Sequence, residues 1–313
     1  MGLAGLLPHS MHRNLMRGFM TRIWKTLLIL PFLLLLGAGD SPSEHRDEET
    51  LRVFPFENPS PIGPASNQHR TGHIDGTVLV PSGHNLQELV PRHYRLFVPT
   101  HYDPSRPTPL LINMPGHRVG IYIAADFTQL QRTADMNGFI VAYAEQQWRT
   151  QGEMRWAWWT DWNWTTHPND NPDVTFLRKL VETIQSTHNI DRNRVYASGH
   201  SRGGAMSVIA ALELPDVFAA VCSQSGFTEF GYDQRMEHYA GRKTPILLIH
   251  GVDDPDVNVS RSDRIAEILQ RKGWNSQEVV YWRLANVKHR WQPQLNQQMW
   301  DFLSSKTLNG GQP

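Results

Sequence analysis

The sequence predicts an α/β domain: a mostly parallel central sheet with helices on both faces and little or no lid. Three observations carry that expectation. From residue 93 onward, apolar β-prone runs alternate with runs of helical spacing, which is the signature of a parallel sheet with crossover helices. One strand-like run leads through Gly199-His200-Ser201-Arg202-Gly203 straight into a helix-like run, so a serine should stand on a sharp strand-to-helix turn. Between Cys222 and Pro245 there is little sequence from which to build a large lid.

Taken in order, residues 1–39 resemble a signal peptide. His12, Arg13, Arg17, Arg22 and Lys25 precede an apolar run at 26–36, followed by Gly37-Ala38-Gly39. The run is shorter than the about 20 apolar residues a membrane span needs and is interrupted by Pro31. No stable membrane span is expected after cleavage, and the mature protein should be secreted or periplasmic. Residues 40–75 mix a charged block with Pro, Ser and Gly; such a segment buries too little apolar surface to fold alone and reads as a linker. Residues 76–307 should form the α/β domain, and 308–313 a disordered tail. Candidate strands are 93–98, 109–114, 138–143, 195–199, 219–223, 245–250 and 279–282, with helices at 127–136, 174–187, 203–214, 262–272 and 293–304. Residues 147–164 carry six of the chain's eleven tryptophans and should form a loop at the catalytic edge.

Composition excludes several classes. With 30 basic and 30 acidic side chains among 313 residues, there is no electrostatic case for nucleic acid. The 15 histidines are scattered, with neither HExxH nor a Cys/His cluster at metal spacing, so no metal and no other cofactor is expected. Cys222 is the single cysteine. An intramolecular disulfide is therefore impossible, and an apolar strand setting makes this residue a small core side chain.

The chemistry follows from the turn at Ser201. Glycines two residues to either side keep neighbouring chain off a serine held in a strained conformation, while the following helix aims its positive end at charge developing on an attacked carbonyl. A serine hydroxyl needs a base, and on such sheets the chain order is Ser, then acid, then His. The strand-like run 245–250 ends in His250-Gly251-Val252-Asp253-Asp254-Pro255-Asp256, which places carboxylates just beyond a strand's C-terminal end. Asp254 is favoured there; Asp253 can cap the turn and Asp256 can be solvated. After that loop His289 is the one remaining histidine, so the base is chosen by elimination.

The stretches GHSRGGAMS, HGVDDPDV, VKHRWQP and YRLFVPTHYDPSRPTPLLINMPG together resemble secreted α/β-hydrolase esterases of the polyhydroxybutyrate depolymerase and feruloyl esterase kind, with acetylxylan esterases as near relatives. The resemblance implies Ser201 as nucleophile, Asp254 as acid, His289 as base and the backbone amides of His117 and Arg202 as oxyanion donors. The chain departs from the family at two places. The usual His-Gly-Cys turn reads Pro115-Gly116-His117, and the usual Cys-Trp-Asn-Trp segment reads Arg155-Trp156-Ala157-Trp158. The expected function is a secreted serine esterase acting on bulky or polymeric esters, such as polyhydroxyalkanoate-like, feruloyl or acetyl-xylan esters. Trp156, Trp158, Trp159, Trp162 and Trp164 are candidate substrate-binding residues, because indole faces make flat apolar walls. A prolyl-oligopeptidase-like peptidase and a noncatalytic glycan-binding module on the same fold are the other readings.

Overall fold

The computed structural model of the chain describes residues 70–82, 88–151, 154–159, 171–228 and 231–310; for the strand residues 148–151 and 154–158 it describes the backbone. The leader and nearly all of the linker lie outside these residues.

An eight-stranded sheet organises the domain, in the order β1-β2-β4-β3-β7-β8-β9-β10. Its strands are β1 (Gly72–Pro81), β2 (Leu89–Val98), β3 (Thr108–Met114), β4 (Ile140–Ala144), β7 (Ile190–His200), β8 (Ala220–Gln224), β9 (Ile246–Gly251) and β10 (Val279–Leu284). From β4 to β10 all neighbours are parallel, while β2 runs antiparallel to both β1 and β4. Composition explains the arrangement. The central strands, such as LLINM in β3 and ILLIHG in β9, are buried along their length, as sheets covered on both faces require. In β1, by contrast, Ile74, Val78 and Val80 are buried between exposed or half-buried neighbours.

Alternate side chains of one strand feed two separate cores. Leu110, Ile112 and Met114 join the core under α3 (Pro172–Thr187), α4 (Arg202–Glu213), α5 (Tyr232–Glu237) and α6 (Ser260–Arg271). Leu111 and Tyr196 join the core under α1 (Ile121–Thr128), α2 (Leu130–Asn137) and α7 (Asn296–Ser304). Helices therefore cover both faces, as expected. No helix among the described residues is long and apolar enough to cross a membrane.

Four local expectations differ from the structure. β1 opens inside the segment read as linker, because pairing with β2 through ten residues decides its conformation rather than its own mixed composition. The register sets Gly76 opposite Tyr94, whose ring fills the space a Cβ would need. The single helix expected at 127–136 is two helices, broken where Gln129 adopts φ 54°, ψ 24° and its amide caps Ala125. The tryptophan-rich stretch expected as loop contains a β-hairpin of β5 (Gln147–Gln151) and β6 (Met154–Trp158). Finally α5, unforeseen in the sequence, buries Tyr232 and Met236 against the sheet and is part of the domain wall.

Candidate active site

Ser201 stands between β7 and α4 at φ 57°, ψ −119°, a strained backbone for a residue with a side chain. The surroundings enforce it. A Cβ at Gly199 would lie 2.2 Å from Gly203 O, and one at Gly203 would lie 1.9 Å from Met114 O, so both glycines are steric requirements. The Ser201 amide donates to Gln224 O at 2.9 Å, tying the turn to the neighbouring strand. Ten of the twelve residues of α4 are buried, which seats the helix start directly behind the serine.

The acid and the base come from adjacent loops that are stitched together. Val252 N donates to Leu284 O at 2.8 Å and Asp253 N to Val287 O at 3.2 Å. A Cβ at Gly251 would lie 2.1 Å from Val287 O, so glycine permits this approach. Asp254, 7% exposed, then reaches His289 Nδ1 through Oδ2 at 2.7 Å. Because a carboxylate only accepts, this bond puts the proton on Nδ1 and leaves Nε2 as the basic nitrogen. Asp254 Oδ1 accepts the amides of Asp256 at 3.0 Å and Val257 at 2.9 Å. Burial alone would raise the Asp254 pKa, but the Val257 amide and His289 outweigh it and hold the carboxyl below its usual range.

A second histidine, which sequence order passed over, completes the surroundings of the acid. His250 Nε2 lies 3.3 Å from Asp254 Oδ2 and 2.9 Å from Val257 O, while its Nδ1 faces Ser262 Oγ at 2.7 Å. Burial lowers the His250 pKa, with partial offset from Val257 O and Asp254. The imidazole is therefore neutral at neutral pH, with Nε2–H directed at its two acceptors. The position of a histidine at the end of a strand, four residues before the acid, was the only signal for this role.

Ser201 meets the Asp254–His289 pair through its neighbour. The ring of His200 packs 4.7 Å, centroid to centroid, from that of His289 and meets Phe127 edge-on at 5.8 Å. His200 Nε2 is buried without a partner, and burial, reinforced by the nearby His289, lowers its pKa to about 3. Among the described residues no hydrogen bond joins Ser201 Oγ to His289. Asp256 adds a carboxylate whose ligand atom lies, with those of Asp254 and His289, inside 4.8 Å. A cation held through His289 Nδ1 would displace the 2.7 Å acid–base bond.

The turn at 115–119 faces the elbow. A Cβ on Gly116 would lie 3.3 Å from both His200 O and Ser201 Cβ, so His117 follows immediately after the point of closest approach. His117 is exposed and Arg202 half-buried. The tryptophans separate. Trp159 is buried, 3% exposed, and donates Nε1–H to Pro115 O at 2.8 Å. It belongs to the support of the turn and not to an open platform. Trp156 and Trp158 lie on β6, whose side chains are outside the description, and Trp162 and Trp164 lie outside the described residues.

The strand order, the serine turn at the sheet's carboxyl edge and the paired acid and histidine loops define the class, the α/β-hydrolase fold. The chain belongs to the phospholipase/carboxylesterase family, whose model matches residues 122–307. The described domain is accordingly a carboxylic ester hydrolase. Feruloyl esterase B of Piromyces equi is 31% identical over 162 residues, covering 50% of this chain and 28% of that protein. A bifunctional acetylxylan esterase/xylanase of Neocallimastix patriciarum is 26% identical over 172 residues, covering 53% and 22%. The chain thus spans less than a third of the length of these relatives. The solved acetyl xylan esterase from Aspergillus awamori superposes with a TM-score of 0.58 at 14% identity, over 73% of this chain and 98% of that one, a likeness of fold.

Proposed function

We propose that the protein is an exported serine esterase in which Ser201 attacks the ester carbonyl, His289 is the general base and Asp254 orients it. The observation that carries the reading is the 2.7 Å bond between Asp254 Oδ2 and His289 Nδ1 beside a serine at φ 57°. Rotation of the Ser201 and His289 side chains brings Oγ to Nε2, a hydrogen bond that substrate binding commonly tightens. Nε2 takes the hydroxyl proton as Oγ attacks. The amides of His117 and Arg202 receive the oxyanion, and His289 returns the proton to the departing alcohol. Water, deprotonated by the same nitrogen, then releases the acid and restores the serine.

Feruloyl or acetyl-xylan esters are the proposed substrates. The names of two relatives, a feruloyl esterase and an acetylxylan esterase/xylanase, support this class, as do the tryptophans at 156, 158, 162 and 164. The apolar run at 26–36 behind a basic region supports export. Exported material should begin near Asp40 by intact mass. For the chemistry, the wild type should hydrolyse p-nitrophenyl acetate and take one fluorophosphonate label, while Ser201→Ala should lose both. A label retained on Ser201→Ala would reassign the nucleophile.

A further inference from the structure

We propose that Gln146 and Trp159 are the positioning residues of the oxyanion turn, aiming its amides at Ser201 by binding its carbonyls from behind. The inference rests on the esterase reading above and adds what holds the anion-binding side of that site in place.

The turn at 115–119 is gripped on two sides. Toward the elbow it packs closely: a Cβ on Gly116 would lie 3.3 Å from His200 O and from Ser201 Cβ, and a Cβ on Gly203 would lie 1.9 Å from Met114 O and 2.6 Å from Pro115 O. Away from the elbow, its carbonyls are taken by side chains. Trp159 Nε1–H donates to Pro115 O at 2.8 Å. Gln146 Nε2–H2 donates to Gly116 O and, at 3.1 Å, to Val119 O. With two carbonyls to satisfy, the Gln146 amide has one workable orientation, because its oxygen would repel both.

Peptide geometry turns this grip into aim. Gly116 C=O and His117 N–H belong to one planar trans peptide, so they point in opposite directions. Whatever fixes the carbonyl fixes the amide, and Gln146 behind Gly116 O directs His117 N–H away from itself. Trp159 does the same, through Pro115 O, for the peptide before it. Both side chains bond the turn's carbonyls, not the serine, so their role is positioning.

The two residues are themselves anchored to one buried ion pair. Gln146 is 1% and Trp159 3% exposed. Arg92 bonds Asp173 at 2.7 Å and the carbonyl of Glu145, next to Gln146, at 3.1 Å through Nε and 2.6 Å through Nη2. The same guanidinium lies 5.7 Å from the Trp159 ring and 4.2 Å from that of Phe176. Since Cys222 is the chain's single cysteine, no disulfide within the chain holds the turn. These hydrogen bonds do so.

The test uses the full-length enzyme with Gln146→Met and Trp159→Phe, which keep apolar bulk and delete only the donors. Removing a single oxyanion donor outright costs about 10² to 10³ in kcat, so misaiming one should lower kcat on p-nitrophenyl acetate by roughly 10- to 100-fold with KM within about threefold. Inhibition by a trifluoromethyl ketone, which forms a tetrahedral adduct, should weaken in step with kcat/KM, while product inhibition stays constant. Both variants are assayed at least 20 °C below their measured melting temperatures, a margin set by the Tm measurement itself. Folded variants with kcat within twofold of wild type, or with losses confined to KM and ketone affinity unchanged, would overturn the positioning role. Wild-type protein that neither turns over the ester nor takes the fluorophosphonate would instead sink the esterase reading, and the oxyanion role with it.

Discussion

Replacing Asp254 with asparagine tests the acid directly. Its carboxylate faces four donors: the amides of Asp256 at 3.0 Å and Val257 at 2.9 Å on Oδ1, and His289 Nδ1 at 2.7 Å with His250 Nε2 at 3.3 Å on Oδ2. An asparagine amide cannot satisfy both sides at once. With its NH2 toward the backbone it sets donor against donor; with its NH2 toward His289 it demands a proton-free Nδ1, which moves the imidazole proton to Nε2. That tautomer cannot accept the Ser201 proton. In the serine-protease triad the same exchange lowers kcat by about 10⁴-fold, which at about 1.36 kcal/mol per decade is about 5.4 kcal/mol of lost transition-state stabilisation. For Asp254→Asn, kcat/KM on p-nitrophenyl acetate should therefore fall by roughly 10³- to 10⁴-fold. Asp253→Asn should stay within about threefold, since the exposed Asp253 contributes its backbone amide, which donates to Val287 O at 3.2 Å, and the substitution keeps that amide. A loss below tenfold at Asp254, or a larger one at Asp253, would refute the assignment.

Gly203→Ala should lower both activity and Tm, because its Cβ would meet Met114 O at 1.9 Å and backbone must move to admit it; wild-type kinetics in that variant would mean the helix start is looser than drawn. Arg92→Met strips the buried Asp173 of its cation, a change that costs about 3 to 5 kcal/mol and so roughly 6 to 20 °C of Tm in a domain of this size. A drop under about 3 °C by calorimetry would count against it. Acid should destabilise the fold through its buried histidines. His200 and His250 have folded pKa values below the ordinary one, that of His200 at about 3, so the unfolded chain binds the extra protons first. Their contribution is complete above the ordinary value near 6.5 and is lost as pH falls toward the folded value. Tm should decline between pH 6.5 and 4.5 in the wild type and less steeply in His200→Phe; parallel curves would remove His200 from the account.

The alternation of strand-like and helix-like runs in the sequence was sufficient for the sheet, since strands covered on both faces must be apolar along their length, and that property survives any change of context. The serine turn was equally legible, because glycines two residues to either side of Ser201 mark it in the sequence itself, although the backbone they make room for is Gly203 O for Gly199 and the distant Met114 O for Gly203. Order along the chain pointed to His289, and the favoured aspartate, Asp254, is the one that the structure bonds to it. Other features came from contacts distant in sequence. β1 is a strand because β2 offers it ten residues of backbone partners. The helix at 121–137 breaks at Gln129 without a glycine or proline to announce it. His250 lies 39 residues from the base in the chain, and Gln146 and Trp159 precede the serine, yet folding sets the first against the acid and the other two behind the oxyanion turn. Local sequence carries steric and apolar demands, which are short-range. Which polar group meets which buried carbonyl is decided only when the sheet brings separate loops to one edge, and so belongs to the tertiary structure.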